Sequence, residues 1–162
     1  MLAVAVENPA TPDIVDLLEA HLSLMRSISP PGSVHALDLD GLCMPDMTFW
    51  SVRDGDALVG CGAIKALDDG HGEIKSMHVR ETARGRGIAA LLVGTILEEA
   101  RRRGMTRLSL ETGSTDHFLP ARRLYARFGF VACGPFAGYA LDPHSAFMTR
   151  AVRSAATARP TP

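Results

Sequence analysis

The chain has 162 residues, 46% of them hydrophobic and 22% charged, and its formal net charge is -1. That length suits one buried core, and the composition excludes a disordered or fibrous protein. The near-neutral balance excludes a broad nucleic-acid footprint, which needs a surplus of basic residues on one face, so no nucleic-acid partner is expected.

Residues 2–6 read as a short strand stopped by Asn8 and Pro9. Thr11, Pro12 and Asp13 form a helix start, with a capping hydroxyl, proline at the first helical position and acid in the first turn; the helix runs to about Ser27. Pro30, Pro31 and Gly32 end it, and the connection to Pro45 holds one helical turn around 37–42. Two strand-like runs, 47–52 and 57–67, flank Asp54, Gly55 and Asp56 as a hairpin. After a second turn at 68–72, residues 73–79 complete an antiparallel meander.

The period then changes. Ile88, Leu91, Leu92, Thr95 and Ile96 recur at helical spacing, Glu98 and Glu99 precede Arg101, Arg102 and Arg103, and Gly104 closes the helix. Residues 108–112 are the next strand, 120–127 an amphipathic helix stopped by Gly129, and 130–133 and 147–152 the final strands. A single domain over 1–152 and a disordered tail over 153–162 are expected. The crossover through the central helix makes strands 73–79 and 108–112 parallel.

Cys43, Cys61 and Cys133 are odd in number and form no CxxC pair, which fits reduced thiols. The six histidines show no HxxxH or HxH spacing, so no metal is expected. The first twelve residues, MLAVAVENPATP, lack a basic n-region and are too short and interrupted for a signal peptide or membrane span. The expected location is cytoplasmic, with no membrane partner.

The stretch ARGRGIAALL, residues 83–92, carries the chemistry. Helix N-termini expose unpaired N–H groups at the positive end of a dipole, and Gly85 and Gly87 let an anion approach them closely. Arg84 and Arg86 add charge, so the loop suits phosphates. Gly85, Gly87 and Ala90 also satisfy GxGxxA, with Glu111 near the end of the next strand. Against a dinucleotide fold, residues 80–84 intervene between strand and glycines, and the unit follows a meander with no second mononucleotide half. A P-loop is excluded because no GK[ST] follows.

The loop is similar to that of the GNAT acetyltransferase superfamily, whose motif is Arg or Gln, two residues, Gly, one residue, then Gly or Ala; Arg84, Gly87 and Ala89 satisfy it. The resemblance spans roughly 47–133 and is closest to a small bacterial branch with IKSM before the loop and SLETGS, PAR-LY and FGF after it, here at 74–77, 109–114, 120–125 and 128–130. It implies an α/β (α+β) fold with a mixed, mostly antiparallel central sheet, one parallel strand pair and flanking helices. It also implies acetyl-CoA as cosubstrate. The pyrophosphate is then held by the backbone of Gly85, Arg86, Gly87, Ile88, Ala89 and Ala90, with the Arg84 and Arg86 side chains beside it. The pantetheine arm lies along Met77, His78 and Val79 of a distorted strand, and one of their amides polarises the thioester carbonyl.

The implied reaction is N-acetylation of a primary amine by direct attack in a ternary complex. Deprotonating a lysine-like amine at neutral pH costs about 4.6 kcal/mol and an α-amine about 1.4 kcal/mol, so a base matters more for the first. Tyr125 aligns with the tyrosine that protonates the departing thiolate, or it packs against the cosubstrate without transferring a proton. Glu111 aligns with the acid some relatives use as general base; its alternative is a strand-end carboxylate paired with an arginine. Glu73 on the neighbouring strand can serve instead, and His78 and His117 are weaker candidates. One departure is Phe118, where many members keep Asn seven residues before the tyrosine, and the segment 111–125 is longer than usual. The acceptor is bounded by the first helices and their connection, including Ser33, Val34 and His35, and by 136–144. A small-molecule primary amine is the expected acceptor, with peptide or protein amines second and a nonamine acceptor open, and a noncatalytic acyl-CoA-binding sensor or interaction module is the other class of function. Exposed strands near the C-terminus offer a surface for a homodimer.

Overall fold

A computed structural model describes residues 1–34 and 39–153. His35 and residues 154–162 of the expected tail lie outside the described residues. Seven strands form one sheet: β1 (Leu2–Val6), β2 (Met47–Asp54), β3 (Ala57–Ala66), β4 (His71–Val79), β5 (Arg107–Gly113), β6 (Val131–Cys133) and β7 (Ser145–Ala151), in the order β1-β2-β3-β4-β5-β7-β6. The helices are α1 (Pro12–Ile28), α2 (Leu39–Leu42), α3 (Ile88–Arg102) and α4 (Leu119–Arg127). Of the strand pairs described, β4 with β5 is the parallel one, joined through α3, as the crossover in the sequence requires.

The sheet is a middle layer. Leu92, Val93, Ile96 and Leu97 of α3 bury one helical stripe against Ile64, Ile74, Leu108 and Leu110. On the other side, Ile14 and Leu17 of α1 and Leu42 of α2 cover Phe49, Leu58, Cys61 and Ala63. Covered on both faces, β3 is buried almost continuously, which explains why its apolar run shows no polar alternation. The start of α1 differs from expectation in one detail. The Thr11 hydroxyl donates to the Asn8 carbonyl at 2.8 Å and makes no cap to the helix. Its role is to close the preceding turn.

The meander carries one irregularity that matters. Cys61 pairs with His78 and Ala63 with Lys75, so Gly62 alone faces two residues, Ser76 and Met77. This is a β-bulge, and it kinks the bulged strand. Ser76 takes it up with φ +56°, a left-handed conformation that costs an L-residue about 1–2 kcal/mol. A Cβ at Gly62 would stand 2.5 Å from Met77 Sδ, so a larger residue there requires the Met77 side chain to move. β4 keeps its pairing with β5 only from His71 to Ile74. Beyond Ile74 the two strands part.

Ser76→Gly is expected to keep the bulge and to stabilise the fold by about 0.5–1 kcal/mol, whereas Ser76→Val, β-branched at positive φ, costs about 1–3 kcal/mol in urea unfolding. Equal stabilities for the two variants would mean that Ser76 does not carry this strain.

Candidate active site

Past Val79 the chain makes one tight turn (Glu81–Ala83) that buries Ala83, then enters the glycine loop. Gly85 and Gly87 have φ +81° and +77°, and a Cβ on either meets nothing within 4 Å. The glycines are there for backbone conformation, and the space they leave is open. Gly87 caps α3 without any side-chain hydrogen bond. The Leu91 N–H bonds the Gly87 carbonyl at 3.0 Å, which leaves Ile88, Ala89 and Ala90 without an intrahelical acceptor. Three unpaired amides at the positive end of a 15-residue helix make an anion cradle.

The cradle opens into a cleft of about 690 Å³ between the parting strands. Arg84 lines it. Arg86 does not share that place: its guanidinium is paired 2.8 Å from Asp54 at the β2–β3 turn. Its side chain therefore does not stand free beside the cradle as the sequence suggests. Met77, His78 and Val79 form the β4 wall, and Leu24 and Met25 of α1 form another. His78 Nδ1 lies 3.1 Å from His21 Nδ1 on α1. Burial, then the neighbouring His78, lowers the His21 pKa to about 4, and burial followed by Arg84 and Arg80 lowers that of His78.

At the other end two carboxyls behave differently. Glu73 is 3% exposed; its Oε2 accepts from the Tyr139 hydroxyl at 2.5 Å and from Lys75 Nζ at 3.2 Å, and Lys75 also donates to the Tyr139 oxygen at 2.9 Å. Glu111, on the adjacent strand, makes no ion pair among the described residues. Burial pushes its pKa up to about 7; the Ser145 hydroxyl and the Lys75 ammonium pull against this, and Glu73 and Asp142 add to it. A carboxyl that titrates near pH 7 can exchange protons at working pH, whereas Glu73 has one oxygen already engaged by a lysine and a phenol. The two candidate bases are therefore distinguished by their partners.

Tyr125 on α4 also lines the cleft, 6% exposed, its ring edge-on to Phe130 at 5.7 Å. Burial raises its phenol above the usual range, so it keeps its proton. Arg122 ties α4 to the end of β5 through the Gly113 carbonyl at 2.6 Å. Phe118 packs its ring over Gly113, where a Cβ would stand 1.9 Å from Cδ2. His117 lines the cleft beside it.

One cleft thus brings together Arg84, Gly85, Gly87, Ile88, Ala89, Ala90, Met77, His78, Val79, Glu73, Glu111 and Tyr125. Lys75, Tyr139 and His21 were not picked out from the sequence. Lys75 left a usable trace, being one of two lysines and two residues after Glu73, on the same face of β4. Tyr139 and His21 lie in the two segments expected to bound the acceptor, 136–144 and the first helix, but nothing in the sequence singled out either side chain. Among the described residues no cluster suits a metal ion, and no helix is long and apolar enough to cross a membrane.

Residues 14–130 match the profile of the acetyltransferase (GNAT) family. The uncharacterized N-acetyltransferase YsnE of Bacillus subtilis (strain 168) is 53% identical over 85% of this chain and 91% of its own. The uncharacterized N-acetyltransferase YedL of Escherichia coli (strain K12) is 45% identical over 92% and 94%, and the IAA acetyltransferase of Azospirillum brasilense is 40% identical over 92% and 97%. Among solved structures, a putative acyl-CoA N-acyltransferase of Klebsiella pneumoniae superposes with a TM-score of 0.77 at 27% identity, covering 94% of this chain and 98% of that one. A Bacillus subtilis acetyltransferase in complex with CoA shares the fold at 15% identity, with a TM-score of 0.69 over 94% and 99% of the two chains.

The folded state binds a proton at Glu111 more tightly than the unfolded chain, about 7 against 4.5. The stability this contributes is complete below about 4.5 and is lost as pH rises through about 7. Glu111→Gln is therefore expected to melt roughly a few degrees above the wild type at pH 8 and together with it near pH 4. A constant offset at both pH values would show that the carboxyl is not desolvated.

Proposed function

Because the chain belongs to the acetyltransferase (GNAT) family and is an acyltransferase, we propose that it moves the acetyl group of acetyl-CoA onto the primary amine of a small molecule, by direct attack in a ternary complex. The observation that carries this reading is the pairing, in one cleft, of a bare anion cradle with a carboxyl poised near neutrality. Gly85 and Gly87 leave the room a pyrophosphate needs, and the Ile88, Ala89 and Ala90 amides supply its hydrogen bonds. Arg84 adds charge from the cleft wall, and Arg86 contributes its backbone while Asp54 holds its side chain. The β4 backbone at Met77, His78 and Val79, no longer paired to β5, would align the extended arm and offer an amide to the thioester carbonyl. Acetyl-CoA, when bound, supplies the activated acyl group.

Glu111 takes the proton that the amine must lose. Its elevated pKa narrows the gap to an alkylammonium by up to about 3 kcal/mol relative to an ordinary carboxylate. Glu73 suits that role less well, because Lys75 and Tyr139 already donate to its Oε2. Tyr125 stays protonated until the carbon–sulfur bond breaks and then gives its phenolic proton to the departing sulfur. The small-molecule assignment is supported by the Ser33 hydroxyl donating to Asp142 at 2.5 Å, which joins two walls around the acceptor end. The relatives named IAA acetyltransferase, from Azospirillum brasilense and Bacillus cereus, are named for a single acceptor.

Calorimetric titration of acetyl-CoA, followed by thiol release against a panel of small amines and IAA, tests the reading. Gly87→Glu should abolish acetyl-CoA binding by setting a carboxylate against the pyrophosphate; unchanged affinity would remove the loop from the site. Glu111→Gln should lower kcat by about a hundredfold or more and erase the rise of kcat with pH through about 7. Tyr125→Phe should lower kcat roughly tenfold with cosubstrate affinity intact. Full turnover in Tyr125→Phe would assign the thiolate's proton to water.

A further inference from the structure

Among the described residues one buried side-chain polar atom has no hydrogen-bond partner, the Ser145 hydroxyl oxygen at the start of β7. A buried hydroxyl left unmet is destabilising and calls for a reason. Its place in the sheet supplies one. β5 and β7 pair Glu111 with Phe147 and Gly113 with Ser145. Directly paired and alternate residues share a face, so these positions lie on one side of the sheet and Ser145 is the diagonal neighbour of Glu111. Gly113 has no side chain there, and the Phe118 ring lies where its Cβ would stand. Phe147, opposite Glu111, is buried. The Glu111 carboxyl and the Ser145 hydroxyl are thus neighbouring polar groups bordered by aromatic rings.

Other charged and titratable groups act on Glu111 from the elements around it. β4 brings Lys75, which favours its ionised form, and Glu73, which opposes it; the segment before β7 brings Asp142, which also opposes it. Tyr139 responds to the Glu111 charge, and His117 and His144 line the same cleft. Burial is the largest influence and raises the Glu111 pKa; the Ser145 hydroxyl is the next and lowers it, through a contact short of a well-formed hydrogen bond. A hydroxyl can do what the Lys75 ammonium cannot. An ammonium only donates, whereas a hydroxyl donates to a carboxylate and, after rotating, accepts from a carboxyl.

We propose that Ser145 is a positioning residue for Glu111: its hydroxyl donates to the carboxylate that receives the amine's proton and turns to accept once that proton has arrived. The inference rests on the amine-transfer reading above and adds a residue to it. The N–H bond of the ammonium breaks, its electron pair stays on nitrogen, and an O–H bond forms on Glu111. The Ser145 proton stays on its own oxygen throughout.

The test follows kcat against pH in Ser145→Ala, Ser145→Thr and Ser145→Val. Thr and Val have nearly the same shape and both suit a strand, so their comparison isolates the hydroxyl. In the Ala and Val variants the acid limb should move up by about half to one pH unit, lowering kcat about three- to tenfold below about pH 6, because the ionised carboxyl loses its donor. Well above the Glu111 midpoint these variants should converge with the wild type. The Thr variant should follow the wild type throughout, and KM for acetyl-CoA should not move in any of them. Ala and Val profiles that coincide with the wild type, or a Thr variant displaced like Val, overturn the proposal. A readout independent of turnover is the Glu111 carboxyl resonance in a carbon-13 NMR titration, assigned by its loss in Glu111→Gln. A higher midpoint in Ser145→Val than in the wild type supports the proposal, and equal midpoints overturn it. Where no amine is acetylated, that titration decides the role of Ser145 and the missing turnover counts against amine transfer alone.

Discussion

One extra residue in β4 governs the rest of the molecule. Where Ser76 and Met77 together oppose Gly62, the strand keeps its hydrogen bonds to β3 on one edge and swings its other edge away from β5. Backbone groups on that edge then have no strand partner and must be met by water or by a ligand. The positive φ of Ser76 is the local cost of this opening, and the two buried layers above and below the sheet hold it in place. A regular β4 would pair with β5 along its length and leave no cleft. The cleft exists because the sheet is interrupted at its centre.

The interruption also sorts the acids. Glu73 lies on the last paired stretch of β4, where Lys75 and Tyr139 can reach it inside the protein. Glu111 is one residue past the last β4–β5 pair, so it faces the opening without a cation of its own. Both are removed from bulk water, yet Glu73 has a lysine and a phenol on its Oε2 and Glu111, without an ion pair, has its pKa raised by burial. Partnering, more than depth, decides which carboxyl can move a proton.

What the sequence disclosed follows the range of the interactions involved. Strand and helix limits, the hairpin at Gly55, the stop at Gly104 and the crossover are set by local period and turn chemistry, and they fall within a residue or two of expectation. The conformation of the glycine loop was legible for the same reason: the positive φ values at Gly85 and Gly87 and the start of α3 are set by contiguous residues. Thr11 was misjudged because a hydroxyl at a helix start has two local acceptance patterns, and the turn at Asn8 competes for it. Arg86 was placed beside the phosphates because nothing local reveals that Asp54, 32 residues earlier, stands within reach. The choice between Glu73 and Glu111 could not be made from the strands alone, since it depends on Tyr139, which is 66 residues from Glu73.

That division has a consequence for how the two ends of the cleft can change. The loop depends on positive φ values at Gly85 and Gly87, which glycine adopts without strain, and on amides that any residue but proline supplies. The rest of the cleft is assembled from side chains meeting across the fold: His21 with His78 across 57 residues on the β4 wall, and Ser33 with Asp142 across 109 and Tyr139 with Glu73 across 66 at the carboxyl end. None of the three contacts is a strand pair or a helix turn, so altering them reshapes the chamber and its charge while the sheet and the bulge persist. Local backbone conformation thus fixes one end of the cleft and long-range side-chain contacts fix the other, so the second can vary in sequence while the first stays as it is.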